Sequence, residues 1–136
     1  MIKILLVEDS KFLRLATERA LTRSGYEVCC AGDGDEALRM AQMKMPDLIL
    51  LDMLLPKMSG LDVLKALKKD PATKLIPVVV ISGMTEKNAA RLQEDGAAGF
   101  LQKSTLELDK GPERLLAQVQ EIVSKLPATQ ARKTTA

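Results

Sequence analysis

The chain has no histidine and no tryptophan, only three aromatic residues (2%), and two cysteines in 136 residues. Without histidine there are no imidazole metal ligands, no Ser–His–acid triad and no phosphohistidine chemistry on this chain. The cysteines are adjacent, Cys29 and Cys30. Two neighbours cannot make a cysteine-rich zinc site or a disulfide framework, so they read as small buried hydrophobes in a reducing compartment. Long apolar runs are missing too. The opening stretch Met1–Val7 meets acid at Glu8, too short for a signal core or a membrane span, which makes the cytoplasm the default location. Nor does charge of one sign dominate. Of 20 basic and 18 acidic residues, the last ten positions hold Arg132 and Lys133 and no acid, leaving 18 of each sign in residues 1–126. Without clustered phosphate-neutralising charge, direct nucleic-acid binding is not expected.

What is present fits one domain of ordinary size. The hydrophobic fraction of 46% and the charged fraction of 28% are those of a globular chain. A domain this long buries about 70% of its unfolded surface, enough for a core without staples. Residues 1–126 are read as that domain. Residues 127–136, rich in Pro, Thr, Ala and Gln, are read as a flexible tail or linker.

Five short apolar runs punctuate the chain: Ile2–Val7, Tyr26–Ala31, Leu48–Leu51, Pro77–Ile81 and Gly99–Gln102. The first, third and fourth are continuous rather than alternating, the pattern of strands buried on both faces of a parallel sheet. Helical stretches separate them. Ser10 can cap the first and Gly25 end it. Asp33 precedes a run that stops at Pro46. Ser59 precedes Leu61, Leu64 and Leu67, and Asp70-Pro71 closes that helix. Thr85 opens a fourth that Gly96 ends. Gly111-Pro112 opens a fifth, whose Leu115, Val119, Ile122 and Leu126 make one apolar stripe. The alternation is βαβαβαβαβα, which right-handed crossovers build into a doubly wound parallel α/β sheet flanked by five helices. Met40, Met43 and Met45 near the end of the second helix read as core and rim filler.

Ligands of such sheets bind at the carboxyl ends of the strands. There the first strand offers Glu8 and Asp9, the third Asp52, the fourth Ser82 and the fifth Lys103. If the first and third strands are neighbours, three carboxylates converge. Two charges about 5 Å apart repel by about 3 kcal/mol at an effective dielectric of 20, so such a group calls for a cation. Oxygen-only ligands open to water suit Mg²⁺. With a lysine and a hydroxyl added, the set suits a phosphoryl group, and Asp52 is the natural nucleophile because carboxylates form acyl phosphates. Each residue alone has an ordinary explanation as a cap, a turn former or a solvated side chain. The joint pattern carries the argument.

Four stretches in order carry a family resemblance: Ile4-Leu5-Leu6-Val7-Glu8-Asp9-Ser10; Pro46 to Gly60, with Asp52-Met53-Leu54-Leu55-Pro56 at its centre; Ile76 to Gly83; and Gly96 to Lys103. The chain resembles the receiver domain of two-component response regulators, similar to the single-domain chemotaxis and sporulation receivers, over residues 2–126. The flavodoxin-like strand order 2-1-3-4-5 comes with that resemblance and is not read from spacing. The resemblance implies that Asp52 accepts a phosphoryl group from a sensor histidine kinase or phosphotransfer protein. It implies Mg²⁺ held by Glu8, Asp9, Asp52 and the main-chain carbonyl of Leu54, with Lys103 and Ser82 at the phosphoryl oxygens. Ser82 and Phe100 are then the switch pair: Ser82 turns inward and Phe100 follows from exposed to buried. The output face is residues 85–125, which would meet a downstream effector, a linked output domain or a second copy of the chain. Leu54 and Met84, two residues past Asp52 and Ser82, occupy positions that in the family flank the attacking water. Both are apolar here, which predicts slow self-dephosphorylation. One departure is Ser104, which stands where the family usually has proline after the lysine. It leaves open the peptide isomer there, since a cis bond before a non-proline residue costs about 2.5–4 kcal/mol.

Three other readings compete. A phosphatase with an Asp nucleophile commonly has a second Asp two residues on; here that position is Leu54, which transfers no protons. A nucleotide-binding loop is only hinted at by Gly32-Asp33-Gly34, which lacks the third glycine and the lysine and reads better as a turn capping the second helix. A pseudo-receiver that binds partners without phosphorylation is kept open by Ser104 alone.

Overall fold

The computed structural model describes residues 1–53, 55–82, 93–102 and 113–125. The elements in chain order are β1 (Lys3–Val7), α1 (Lys11–Arg23), β2 (Glu27–Ala31), α2 (Gly34–Lys44), β3 (Leu48–Asp52), α3 (Gly60–Lys69), β4 (Val78–Ser82), β5 (Gly99–Gln102) and α4 (Glu113–Ser124). All strand pairings are parallel, and the sheet order is β2-β1-β3-β4-β5.

The continuous apolar runs are explained by burial on both faces. Every residue of β3 is buried, as are the last four of β1. Alternate side chains go to opposite sides. Leu5, Val7, Ile49, Leu51, Val78 and Val80 pack against Ala37 and Ala41 of α2 and Val63, Leu64 and Leu67 of α3. Ile4, Leu6, Leu48, Leu50, Val79 and Ile81 pack against Leu21 of α1 and Leu115 and Val119 of α4. Full burial of each such side chain contributes about 1.5–3 kcal/mol. The edge strand β2 is covered less, and its cysteines are half-buried on opposite faces rather than fully inside.

The capping residues act as their positions in the sequence suggest. Ser10 Oγ accepts from the Leu13 amide at 3.3 Å, Asp33 Oδ1 from Glu36 at 2.8 Å and Ser59 Oγ from Asp62 at 3.2 Å. Asp33 is thus a helix cap, and Gly32-Asp33-Gly34 is the turn expected. Gly25 leaves α1 with φ of 97°, a conformation glycine adopts at little cost.

Four helices lie among the described residues. Of the helix expected from Thr85, only the end is described: Gln93 and Glu94 are helical, and the Gly96 amide donates to the Gln93 carbonyl at 3.0 Å. Leu126, the last member of the α4 stripe, lies outside the described residues. One expectation is corrected. Met43 is 71% exposed and fills nothing, whereas Met40 does pack on the core. Met43 lies on the solvent side of a helix whose buried stripe is Gly34, Ala37 and Ala41.

Candidate functional site

Register builds the site. β1 and β3 pair with Val7 opposite Leu51, so the next residue of each strand, Glu8 and Asp52, emerge side by side at the carboxyl edge. Asp9 follows at the turn into α1. One carboxylate oxygen from each of Glu8, Asp9 and Asp52 lies within 4.8 Å of the other two. Glu8 is 2% exposed and Asp52 1%, while Asp9 faces solvent. The trio is therefore a pocket with two buried walls and one open side.

Glu8 is held firmly. Its amide donates to the Ala31 carbonyl of β2 at 3.0 Å, and its Oε2 accepts from the Ser10 amide at 3.0 Å. Its carbonyl accepts from the Arg14 guanidinium at 2.8 Å. Burial pushes the Glu8 carboxyl up from 4.5 to about 7, the neighbouring Asp52 carboxylate adds to the rise, and the Ser10 amide opposes it. Such crowding of like charge is what a bound cation relieves. Three carboxylates on one open pocket, with no nitrogen or sulfur donor among them, suit a hard divalent cation with room for water and a phosphoryl oxygen. The donor set therefore fits Mg²⁺.

Beyond β3 the chain crosses to α3 through a tight turn. The Met58 amide donates to the Pro56 carbonyl at 2.7 Å, and Lys57 between them has φ of 70°. This is a γ-turn of the rare, strained kind. Lys57 Nζ lies 3.9 Å from Asp33 Oδ2, an exposed pair of little energetic weight. Gly60 then packs directly on the end of β3, its amide donating to the Met53 carbonyl at 3.0 Å.

The other expected site residues are placed as follows. Ser82 ends β4, one residue past the Asp52–Ile81 pair, on the same edge of the sheet. Phe100 lies in β5 opposite Val80 and is half-buried against the cluster under α2 and α3. Lys103, Leu54, Met84 and the Lys103–Ser104 peptide lie outside the described residues. Sequence reasoning missed Arg14 and Gly60. Nothing in a helix sequence says that an arginine reaches back past its N-terminus, although a glycine directly after a capping serine is a signal for close approach.

Comparison with known proteins decides the family. The model of the response regulator receiver domain matches residues 4–119. This chain belongs to the response-regulator receiver family. The relatives agree. The chain is 44% identical over 103 residues to the response regulator PleD of Caulobacter vibrioides, covering 74% of this chain and 22% of that protein. It is 35% identical over 101 residues to the polar-differentiation response regulator DivK of Brucella anthropi, covering 74% of this chain and 82% of DivK. Among solved structures, the chemotaxis response regulator CheY4 of Vibrio cholerae superposes with a TM-score of 0.81 at 33% identity, over 90% of this chain and 98% of that one. The chain spans about a fifth of PleD and 35% of the regulator PhoP of Bacillus subtilis. The receiver domain is a signalling switch of two-component systems, and the CheY-like, flavodoxin-like sheet order expected from the resemblance is the one observed.

Proposed function

We propose that this receiver is a Mg²⁺-dependent phosphoacceptor with Asp52 as the acceptor. The observation that carries the reading is the convergence of Glu8, Asp9 and Asp52 within 4.8 Å at the carboxyl edge, with Asp52 at the end of a fully buried strand. Glu8, Asp9, Asp52 and the Leu54 carbonyl would hold the cation. Bound there, Mg²⁺ supplies charge neutralisation for the incoming phosphoryl oxygens. A carboxylate oxygen of Asp52 attacks phosphorus, a P–O bond forms, and the P–N bond to the donor imidazole breaks. The pocket supplies position and charge rather than further covalent chemistry. Lys103 and Ser82 contact the phosphoryl oxygens, and the added charge of about −1.5 to −2 pulls the Ser82 loop inward. Phe100 follows from its half-buried position.

The donor is a sensor histidine kinase or a phosphotransfer protein. The 85–125 face meets a downstream effector, a linked output domain or a second copy. Residues 1–126 form the working domain, 127–136 a tail or linker, and the chain acts in the cytoplasm without direct contact to nucleic acid. Among the described residues, no helix is long and apolar enough to cross a membrane. The chain catalyses only its own phosphoryl transfer and a slow dephosphorylation. Leu54 and Met84 offer the attacking water nothing to orient it. Leu54→Asn with Met84→Glu should therefore speed decay.

Intact mass after incubation with Mg²⁺ and acetyl phosphate tests the proposal. A gain of one phosphoryl group in the wild type and none in Asp52→Ala supports it. No gain in folded, Mg²⁺-binding wild type would point instead to a partner-binding pseudo-receiver.

A further inference from the structure

We infer that Arg14 is a positioning residue of the carboxylate pocket: it locks the peptide that joins two of the three acids. Arg14 lies in the first turns of α1, and its amide makes a regular helical bond to the Ser10 carbonyl at 2.8 Å. Its side chain does not run out to solvent. It folds back over the start of the helix, and Nη1 donates to the Glu8 carbonyl at 2.8 Å in a partly buried setting. That carbonyl lies beyond the end of β1, where the strand ladder stops.

The peptide unit is planar, so the Glu8 carbonyl and the Asp9 amide move as one body. A clamp on the carbonyl sets the direction in which Asp9 leaves the strand. Glu8 has two further anchors, its amide on Ala31 and its carboxylate on the Ser10 amide. Asp9 is the exposed member of the trio. It therefore depends most on the orientation of that peptide.

A second observation places the guanidinium with equal definition. A Cβ built on Gly32 would lie 3.0 Å from Arg14 Nη1 and 3.9 Å from Cζ. Gly32 thus leaves the slot that the guanidinium occupies. Gly32 is itself anchored, its amide donating to Glu36 Oε1 at 2.7 Å. The arginine is wedged between the β1–α1 turn and the β2–α2 turn, and a planar fork suits such a slot better than a flexible ammonium.

Two roles for this residue make opposite predictions, which allows a test. As a counter-charge alone, Arg14⁺ would repel a divalent cation, and its removal would tighten metal binding. As a positioning residue, its removal frees the Glu8–Asp9 peptide and weakens binding. Loss of a group that orients a metal ligand typically costs 10–100-fold in affinity. We expect about the lower end here, because two anchors on Glu8 remain.

The inference rests on the Mg²⁺ reading above, and the experiment separates the two. Mg²⁺ dissociation constants are measured calorimetrically for wild type, Arg14→Gln, Arg14→Lys, Gly32→Ala and the Arg14→Gln/Gly32→Ala pair. Working in about 1 M KCl shrinks the screening length to about 3 Å and suppresses long-range repulsion between guanidinium and metal. Unfolding in EDTA is recorded in parallel. Arg14→Gln should weaken binding about tenfold, and Arg14→Lys, which keeps a donor, should recover part of the loss. Gly32→Ala keeps the charge but crowds the guanidinium, and should weaken binding too. Combined with Arg14→Gln it should add nothing, as expected of two changes acting through one contact. Arg14→Gln or Gly32→Ala binding as tightly as wild type, or more tightly, overturns the inference, even if stability falls. Should Arg14→Gln not fold, Arg14→Lys and Gly32→Ala decide. Wild type that binds no Mg²⁺ removes both the reading and the inference; wild type that binds while the variants match it removes the inference alone.

Discussion

Gly60 is the position where one methyl group should matter most. A Cβ there would sit 2.5 Å from the Asp52 carbonyl oxygen, 2.5 Å from Met53 Cα and 3.1 Å from Met53 Sδ. Favourable carbon contacts begin near 3.5 Å, so about 1 Å of movement is required. Two of the three obstacles are backbone atoms of the strand end and cannot swing aside. Overpacking costs about 1–3 kcal/mol and occasionally more, and this geometry belongs at the top of that range. Alanine offsets about 1 kcal/mol through its better helix propensity and the stiffer unfolded chain. Gly60→Ala should therefore destabilise by about 2 kcal/mol, roughly 8 °C in Tm for a domain of this size. It should also weaken Mg²⁺ binding, because α3 can retreat only by dragging the Met53 carbonyl to which Gly60 is bonded at 3.0 Å. Gly99→Ala is the matched control, since a Cβ there meets nothing closer than Val79 Cγ2 at 3.5 Å, an ordinary contact. Urea unfolding in EDTA measures both. If Gly60→Ala unfolds within about 0.5 kcal/mol of Gly99→Ala, the close-approach argument is wrong.

Three further outcomes are expected. Asp47 is buried, and its Oδ2 accepts from the Lys3 amide at 2.9 Å; Asp47→Ala strands that donor and should cost about 1–3 kcal/mol in urea unfolding. Lys57 has φ of 70°, so Lys57→Gly should stabilise by about 0.5–1 kcal/mol, the left-handed penalty being only partly offset by glycine's extra freedom when unfolded; a lower urea midpoint would contradict this. Burial, then Glu18 with its Oε2 3.4 Å from Sγ, pushes the Cys30 thiol up to about 12. The folded state then keeps a proton that the unfolded state sheds near pH 9. Its contribution is full below pH 9 and is lost as pH climbs towards 12. Relative to Cys30→Ala, wild type should lose stability more steeply over that window, and iodoacetamide at pH 8 should label Cys30 far more slowly in folded than in unfolded protein.

Much of this molecule can be read without coordinates. The Leu48–Leu51 run names a strand buried on both sides because no amphipathic element would be apolar at every position. Ser10, Asp33 and Ser59 name helix starts because a short side-chain oxygen is what the unpaired first-turn amides need. The acids at the carboxyl ends of β1 and β3 can be picked out because ligand chemistry in such sheets collects at one edge. These are local facts, encoded in residue type and spacing. Their meeting is not local. Glu8 and Asp52 are 44 positions apart, and only the order β2-β1-β3 and the Val7–Leu51 register set them side by side. Met43 has the composition of a core residue and faces solvent because the helix rotation is set by Ala37 and Ala41 against the sheet. Arg14 and Gly60 acquire their roles in the same way. An arginine in a first turn says nothing in one dimension of what it reaches, and a glycine after a capping serine hints at a close approach without naming the partner. Packing brings one guanidinium onto the carbonyl of Glu8 and one glycine onto the carbonyl of Asp52. Residue type and spacing name the candidate groups; their distances follow from strand pairing across the sheet, which no local pattern encodes.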